Sequence, residues 1–173
     1  MIKNCTLFFL LILSLNLQAQ EENYTPPQGL NNWYVELGGA ALLYSVNYEK
    51  YLYRNQKENF TWLGRIGIGF NPIDFPAEHK LLNKVELLSN SFMVPFTTTI
   101  LKGAGKEKLE FGAGFTMITK NFLDREIVPN LVFGLRVMET NRVCFRITYI
   151  PLYKNNEIIH WVGVSIGRNF NFK

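Results

Sequence analysis

The sequence predicts an all-β protein: a single antiparallel up-and-down β-barrel of about eight strands, of the transmembrane type. Three observations carry that expectation. From Trp33 onward, apolar residues recur at every second position, the period of a strand and not of a helix. One face of the alternation gathers large rings, and the other gathers charges and glycines. Aromatic residues make up 14% of the chain and hydrophobic residues 47%, yet past the first 20 residues no apolar run reaches the ~20 residues a membrane helix needs.

The chain has 173 residues, enough for one domain. Residues 1–19 read as a secretory signal peptide. Lys3 gives a basic start, 6–15 is almost wholly apolar, and Ala19 is a small residue at the expected cut. Residues 20–32 are polar and carry Pro26, Pro27 and Gly29, so they read as an extended N-terminal arm. The barrel domain is expected over 33–173.

The strands follow in order. Trp33, Val35 and Leu37 oppose Tyr34 and Glu36. Leu42, Tyr44, Val46 and Tyr48 oppose Ser45, Asn47 and Glu49. Trp62, Ile66, Ile68 and Phe70 oppose Leu63, Arg65, Gly67 and Gly69. Phe92, Val94, Phe96 and Ile100 oppose Met93, Pro95, Thr97 and Thr99. Leu109, Phe111, Ala113, Phe115 and Met117 oppose Glu110, Gly112, Gly114 and Thr116. Leu131, Phe133, Leu135 and Val137 oppose Val132, Gly134 and Arg136. Val143, Phe145, Ile147 and Tyr149 oppose Cys144, Arg146 and Thr148. Val162, Val164, Ile166, Phe170 and Phe172 oppose Gly163, Ser165, Gly167 and Asn169.

Links between them are expected to alternate. Those at 54–61, 102–107 and 138–142 are short. Those at 71–91, 118–129 and 151–160 are longer, and the one near 38–41 is short against the trend. Short turns on one side and longer loops on the other are the outer-membrane pattern. Within the longest link, Leu81, Leu82, Val85 and Leu88 have helical spacing, expected as a short helix capping the barrel mouth.

Size decides which face points out. An eight-stranded barrel is just wide enough inside for side chains to fill it. So many large rings would crowd that interior, whereas glycines ease it. The charged face therefore turns inward, and Glu36, Glu49, Arg65, Glu110, Arg136 and Arg146 are expected as a balanced interior cluster. Trp33, Trp62, Trp161, Tyr51, Tyr153 and Phe172 fall near strand ends and are expected as an aromatic girdle at the two water–lipid boundaries.

Chemistry is hard to place. The net charge of +4 is mild and scattered, which argues against nucleic acid. Cys5 leaves with the signal, so Cys144 stands alone and no internal disulfide is expected. The only histidines are His79 and His160, too few and too far apart for a metal site, and no cofactor is expected. The stretch GAGKEK (103–108) lacks the spacing of a phosphate loop and reads as a hairpin turn. His160 and Ser165 could serve a nucleophilic enzyme, but five positions along a strand put them on opposite faces, roughly 16 Å apart at ~3.3 Å per residue. Ser89 and Ser91 near His79 read as ordinary loop serines. The chain is therefore expected not to be an enzyme. A lipid-modifying barrel enzyme and a soluble secreted barrel holding an apolar ligand are the alternatives.

Taken together, QAQ (18–20), SVNYEKY (45–51), GRIGIGF (64–70), VPFTTTILKGAGKEKLEFGAG (94–114), FRITYIPLY (145–153) and HWVGVSIGRNF (160–170) give a resemblance. In that order, the chain resembles the small outer-membrane β-barrel proteins of Bacteroidota across essentially its whole mature length. The resemblance implies an eight-stranded barrel in the bacterial outer membrane with no defined activity. Its implied partners are outer-membrane lipid, lipopolysaccharide and the barrel-insertion machinery, and its role would be structural or carried by its loops. Two residues depart from the pattern. Lys173 follows the aromatic Phe172 that should end the chain, and Arg168 falls on the apolar face, where it is expected either to snorkel near the periplasmic interface or to be turned inward by a bulge. Pro95 inside a strand is expected to need an edge or a bulge.

Overall fold

The computed structural model describes residues 31–55, 59–71, 91–103, 105–121, 124–139, 142–154 and 156–171. The expected signal peptide, most of the arm, the expected helix at 76–90, His79 and Phe172 lie outside them. The side chains of residues 120, 121 and 124 are likewise not described.

Eight strands form: β1 (Asn31–Gly38), β2 (Tyr44–Arg54), β3 (Phe60–Asn71), β4 (Ser91–Lys102), β5 (Glu107–Asn121), β6 (Asp124–Met138), β7 (Val143–Lys154) and β8 (Glu157–Phe170). Each pairs antiparallel with its neighbours in chain order. The last pairs with the first, from Asn31↔Phe170 to Gly38↔Gly163, so the barrel is closed and has no free edge. Asn31 and Phe170 mark what we term the terminal end; the links after β1, β3, β5 and β7 lie at the far end.

Alternation produces this fold because a strand sends successive side chains to opposite faces. On β3, Thr61, Leu63, Arg65, Gly67, Gly69 and Asn71 are buried, while Trp62, Ile66, Ile68 and Phe70 are exposed. Alternation holds on every wall: the outer face is almost wholly rings and branched aliphatics, and the charges, amides and hydroxyls that the strands bury turn inside, together with a smaller set of apolar side chains. Neighbouring rings touch along the outer face, as in Phe96–Phe115 at 5.2 Å, Phe111–Phe133 at 6.3 Å and Phe133–Tyr149 at 6.3 Å. Among the described residues no helix is long and apolar enough to cross a membrane.

Four details correct the sequence reading. Asn31 and Asn32, expected in the arm, already belong to β1. The links expected at 118–129 and 151–160 are mostly strand, because alternation continues through Ile127 and Val128 and through Tyr153 and Lys154. Asn156 closes the second of them with φ 62°, a left-handed conformation that asparagine tolerates. Pro95 needs neither an edge nor a bulge. The β3–β4 ladder keeps one register from Phe60↔Lys102 to Asn71↔Ser91 and simply lacks the pairs between Ile66↔Phe96 and Gly69↔Met93. The proline, which has no N–H, faces inward against Gly67 in that gap.

The fourth correction concerns Leu42. It was expected on the outer face of β2 but lies in the link before that strand, with φ 68°, buried inside the barrel. The link is a single 3-10 turn, Gly39–Ala41, folded down into the far end of the lumen. Thr116 on β5 donates to the Ala40 carbonyl at 2.8 Å, and the Trp161 indole N–H donates to the Leu42 carbonyl at 2.8 Å. Two glycines permit it. Gly39 takes φ 77°, and a Cβ there would overlap the Glu36 carboxylate; a Cβ on Gly163 would overlap Gly39 itself.

Candidate functional site

The interior is filled in three layers. At the terminal end Tyr51, Leu63, Leu101, Met138 and Cys144 pack together. At the far end Ala40, Ala41 and Leu42 of the inserted turn pack with Met93, Ile118, Val128, Val132, Ile150 and Leu152, under Ile159 and Trp161. Between the two apolar layers lies the ionic one.

All six charged residues expected inside meet there, each from a different strand: Glu36 (β1), Glu49 (β2), Arg65 (β3), Glu110 (β5), Arg136 (β6) and Arg146 (β7). Their side chains are at most 2% exposed, so solvent does not screen them. Arg136 grips Glu49 with two bonds, Nη1 to Oε2 at 2.6 Å and Nη2 to Oε1 at 2.9 Å. It also reaches Glu110 Oε2 through Nε at 3.1 Å and Nη2 at 2.9 Å. Arg65 Nη2 donates to Glu110 at 2.5 Å and to Glu49 at 3.2 Å. Arg146 Nη2 donates to Glu36 at 2.5 Å, and its Nη1 lies 3.5 Å from Glu110.

Three acids meet three guanidinium groups, so the layer is neutral. Burying an ion is costly unless it is paired and hydrogen-bonded, and planar guanidinium forks satisfy carboxylates in that way. Sequence reasoning missed two members. Tyr34 lies between two guanidinium groups, 4.3 Å from that of Arg146 and 5.3 Å from that of Arg65. The Asn32 amide donates to Glu49 at 3.2 Å. Tyr34 was legible, since it shares the inward parity of Glu36.

Six residues were expected as an aromatic girdle, and the structure divides them. Trp33 (48% exposed) and Trp62 (46%) stand on the outer face at the terminal end, and Tyr153 (51%) stands on it at the far end. Tyr53 and Phe60, 6.2 Å apart, join the terminal-end group. Tyr51 and Trp161 do not belong. Tyr51 is buried, its hydroxyl donating to Asn169 Oδ1 at 3.1 Å. Trp161 turns inward onto the inserted turn. The reason is parity: Tyr51 is in phase with Glu49, and Trp161 with Gly163, so both point in. A bulge after Tyr51 shifts the β2–β3 register, from Tyr51↔Leu63 to Tyr53↔Trp62, which leaves Leu52 and Tyr53 both outside.

His160 is exposed on β8, stacked on Tyr149 at 5.9 Å between ring centroids, with its Nδ1 2.5 Å from the tyrosine hydroxyl. Ser165 faces the interior, on the opposite side of the wall. Among the described residues no three His, Cys, Asp or Glu side chains gather as metal ligands would. Arg168 lies outside near the terminal end, paired with Trp33 and Val143.

Fold and interior together define a closed eight-stranded β-barrel, side-chain-filled, with an apolar outer wall. No protein-family model matches the chain, and no curated protein matches it. Among solved structures it is similar in shape to the Yersinia pestis outer membrane protein Ail, whose backbone structure was obtained in a phospholipid bilayer nanodisc. The TM-score is 0.53 and the identity 8%, over 83% of this chain and 100% of that one. It is also similar to a de novo designed protein, TMB2.3, solved by solution NMR, with a TM-score of 0.48 and 12% identity over 82% and 94% of the two chains.

Proposed function

We propose that this chain is an exported bacterial protein that spans the outer membrane, with a structural or loop-mediated interaction role and no catalytic one. The observation that carries the reading is the inversion of polarity. A barrel surrounded by water buries its rings and exposes its charges, whereas this one buries an ionic layer of Glu36, Glu49, Arg65, Glu110, Arg136 and Arg146 and exposes Phe111, Phe115, Phe133, Phe145, Ile147, Val164 and Ile166 on its outer wall. Lipid is the solvent in which that arrangement is favourable. Likeness in shape to an outer-membrane barrel agrees with it.

The filled lumen argues against an open pore and against a soluble barrel holding an apolar ligand among its rings. The opposed faces of His160 and Ser165 argue against the nucleophilic enzyme. Outer-membrane lipid, lipopolysaccharide and the insertion machinery are the proposed partners, and the Bacteroidota affinity rests on the sequence resemblance alone.

Heat modifiability tests the reading. The full chain is expressed with its own N-terminal segment, outer membranes are isolated, and boiled and unboiled samples are compared on an SDS gel. Membrane retention with a mobility shift on boiling is expected. A soluble periplasmic protein with no shift would overturn the proposal.

A further inference from the structure

Besides the short gap at Pro95, the β6–β7 seam of the barrel is laced only part of the way. The β6–β7 ladder runs from Met138↔Cys144 to Phe133↔Tyr149, lacks the next two pairs, and ends at Asn130↔Leu152. Beyond that point β6 pairs only with β5, and β7 only with β8. Pro129 and Pro151 flank the opening, and neither has an N–H to donate across it. A side-chain ion pair holds the strands together above, Lys154 Nζ to Glu126 at 2.7 Å.

The opening forms a cleft of about 270 Å³ on the outer wall, lined by Pro129, Leu131, Pro151, Leu152, Tyr153 and Ile158. That is just below the ~300–1,000 Å³ typical of small-molecule sites. At its floor Asn130 turns its side chain into the lumen, where the amide donates to Thr116. Above the cleft, on the same outer face of β6, stands exposed Arg125, about 13 Å from Pro129 at ~3.3 Å per residue.

An apolar slot beneath a guanidinium matches an amphiphile with an anionic head. We propose that the far end of the β6–β7 seam binds one anionic, phosphate-bearing membrane lipid. Its acyl chain lies in the cleft and its head is held by Arg125, whose planar fork suits phosphate oxygens. The site rests on the membrane reading above, because it opens sideways into the space that lipid would fill.

The test is an NMR titration of the folded barrel in zwitterionic detergent, using short-chain phosphatidylglycerol as probe and the matching phosphatidylcholine as control. Saturable shifts confined to Leu131, Leu152, Tyr153 and Ile158 are expected with the anionic lipid. Arg125→Gln should weaken its apparent affinity by ~10-fold or more, the loss of a charge-assisted bond. Leu131→Trp should fill the slot and abolish the response. If that variant does not fold, Ile158→Trp fills the slot from the other side. Equal shifts at Val46, Ile68 and Phe145 on the other walls would mean ordinary surrounding lipid and would overturn the site. So would a response unchanged in Arg125→Gln, or one that follows protein concentration and marks a second copy instead. A protein that never enters vesicles fails the membrane reading, whereas one that enters them and shows only uniform shifts fails this inference alone.

Discussion

Arg136 and Glu49 join opposite walls of the barrel through a two-bond clasp, at 2.6 and 2.9 Å, from strands four places apart around the ring. Neither side chain is more than 1% exposed. Removing Arg136 leaves three buried carboxylates facing two guanidinium groups, and breaking a buried pair in this way costs ~3–5 kcal/mol. Arg136→Met should therefore lower stability by about that much in a urea titration of the folded barrel. The double variant Glu49→Gln with Arg136→Met should recover part of the loss. A single-variant effect within ~0.5 kcal/mol would contradict this account of the layer.

The outer wall should respond to charge by depth. Ile66 sits in the middle of β3 and faces out. Ile66→Arg is expected to cost ~2–4 kcal/mol in vesicles, whereas changing Arg168, near a strand end, to Leu should move stability by only ~0–1 kcal/mol. Equal effects at the two positions would argue against a lipid-facing wall.

Single-tryptophan variants can report which rings meet lipid. Trp33 and Trp62 should be quenched by brominated acyl chains, while Trp161, folded over the inserted turn, should not. Strong quenching of Trp161 would show that its inward placement is wrong.

Gly39 and Gly105 share positive φ, 77° and 76°, but not surroundings. A Cβ at Gly39 would overlap the Glu36 carboxylate, and one at Gly105 would meet nothing within 4 Å. Gly105→Ala should cost ~1–2 kcal/mol from backbone strain alone. Gly39→Ala should cost clearly more in the same unfolding assay, because the turn must lift off the ionic layer.

Cys144 is buried against Tyr51 and Met138. A maleimide should label it only after unfolding. Rapid labelling of the folded barrel would mean that the terminal-end layer is open.

Much of this was legible because strand parity is a strict rule. Once Glu49 is placed inside, Ser45, Asn47 and Tyr51 must follow, and the six interior charges came from that arithmetic. Tyr51 and Trp161 were misread when a looser rule, rings at strand ends, was set above it. The clasp between Arg136 and Glu49 could not be read at all, since alternation gives the face of a residue but not its partner across the lumen. The inserted turn was also hidden. A short link near 38–41 is legible, but not that the backbone turns at Gly38 and Gly39 fold it, with Leu42, into the lumen. The unlaced β6–β7 seam left a mark in Pro129 and Pro151, but their closeness depends on register, which one sequence does not state.

The ion pairs have a nested order. Glu36 on β1 meets Arg146 on β7, Glu49 on β2 meets Arg136 on β6, and Arg65 on β3 meets Glu110 on β5, so β4 is the fold line of the set. A growing sheet of a few strands could satisfy the innermost pair but not the outermost one. Glu36 and Arg146 find each other only when strands distant in the chain swing round to face one another. The layer thereby acts as a tally of assembly: a half-made ring holds stranded charges, and the completed ring holds none of those six without a counter-ion.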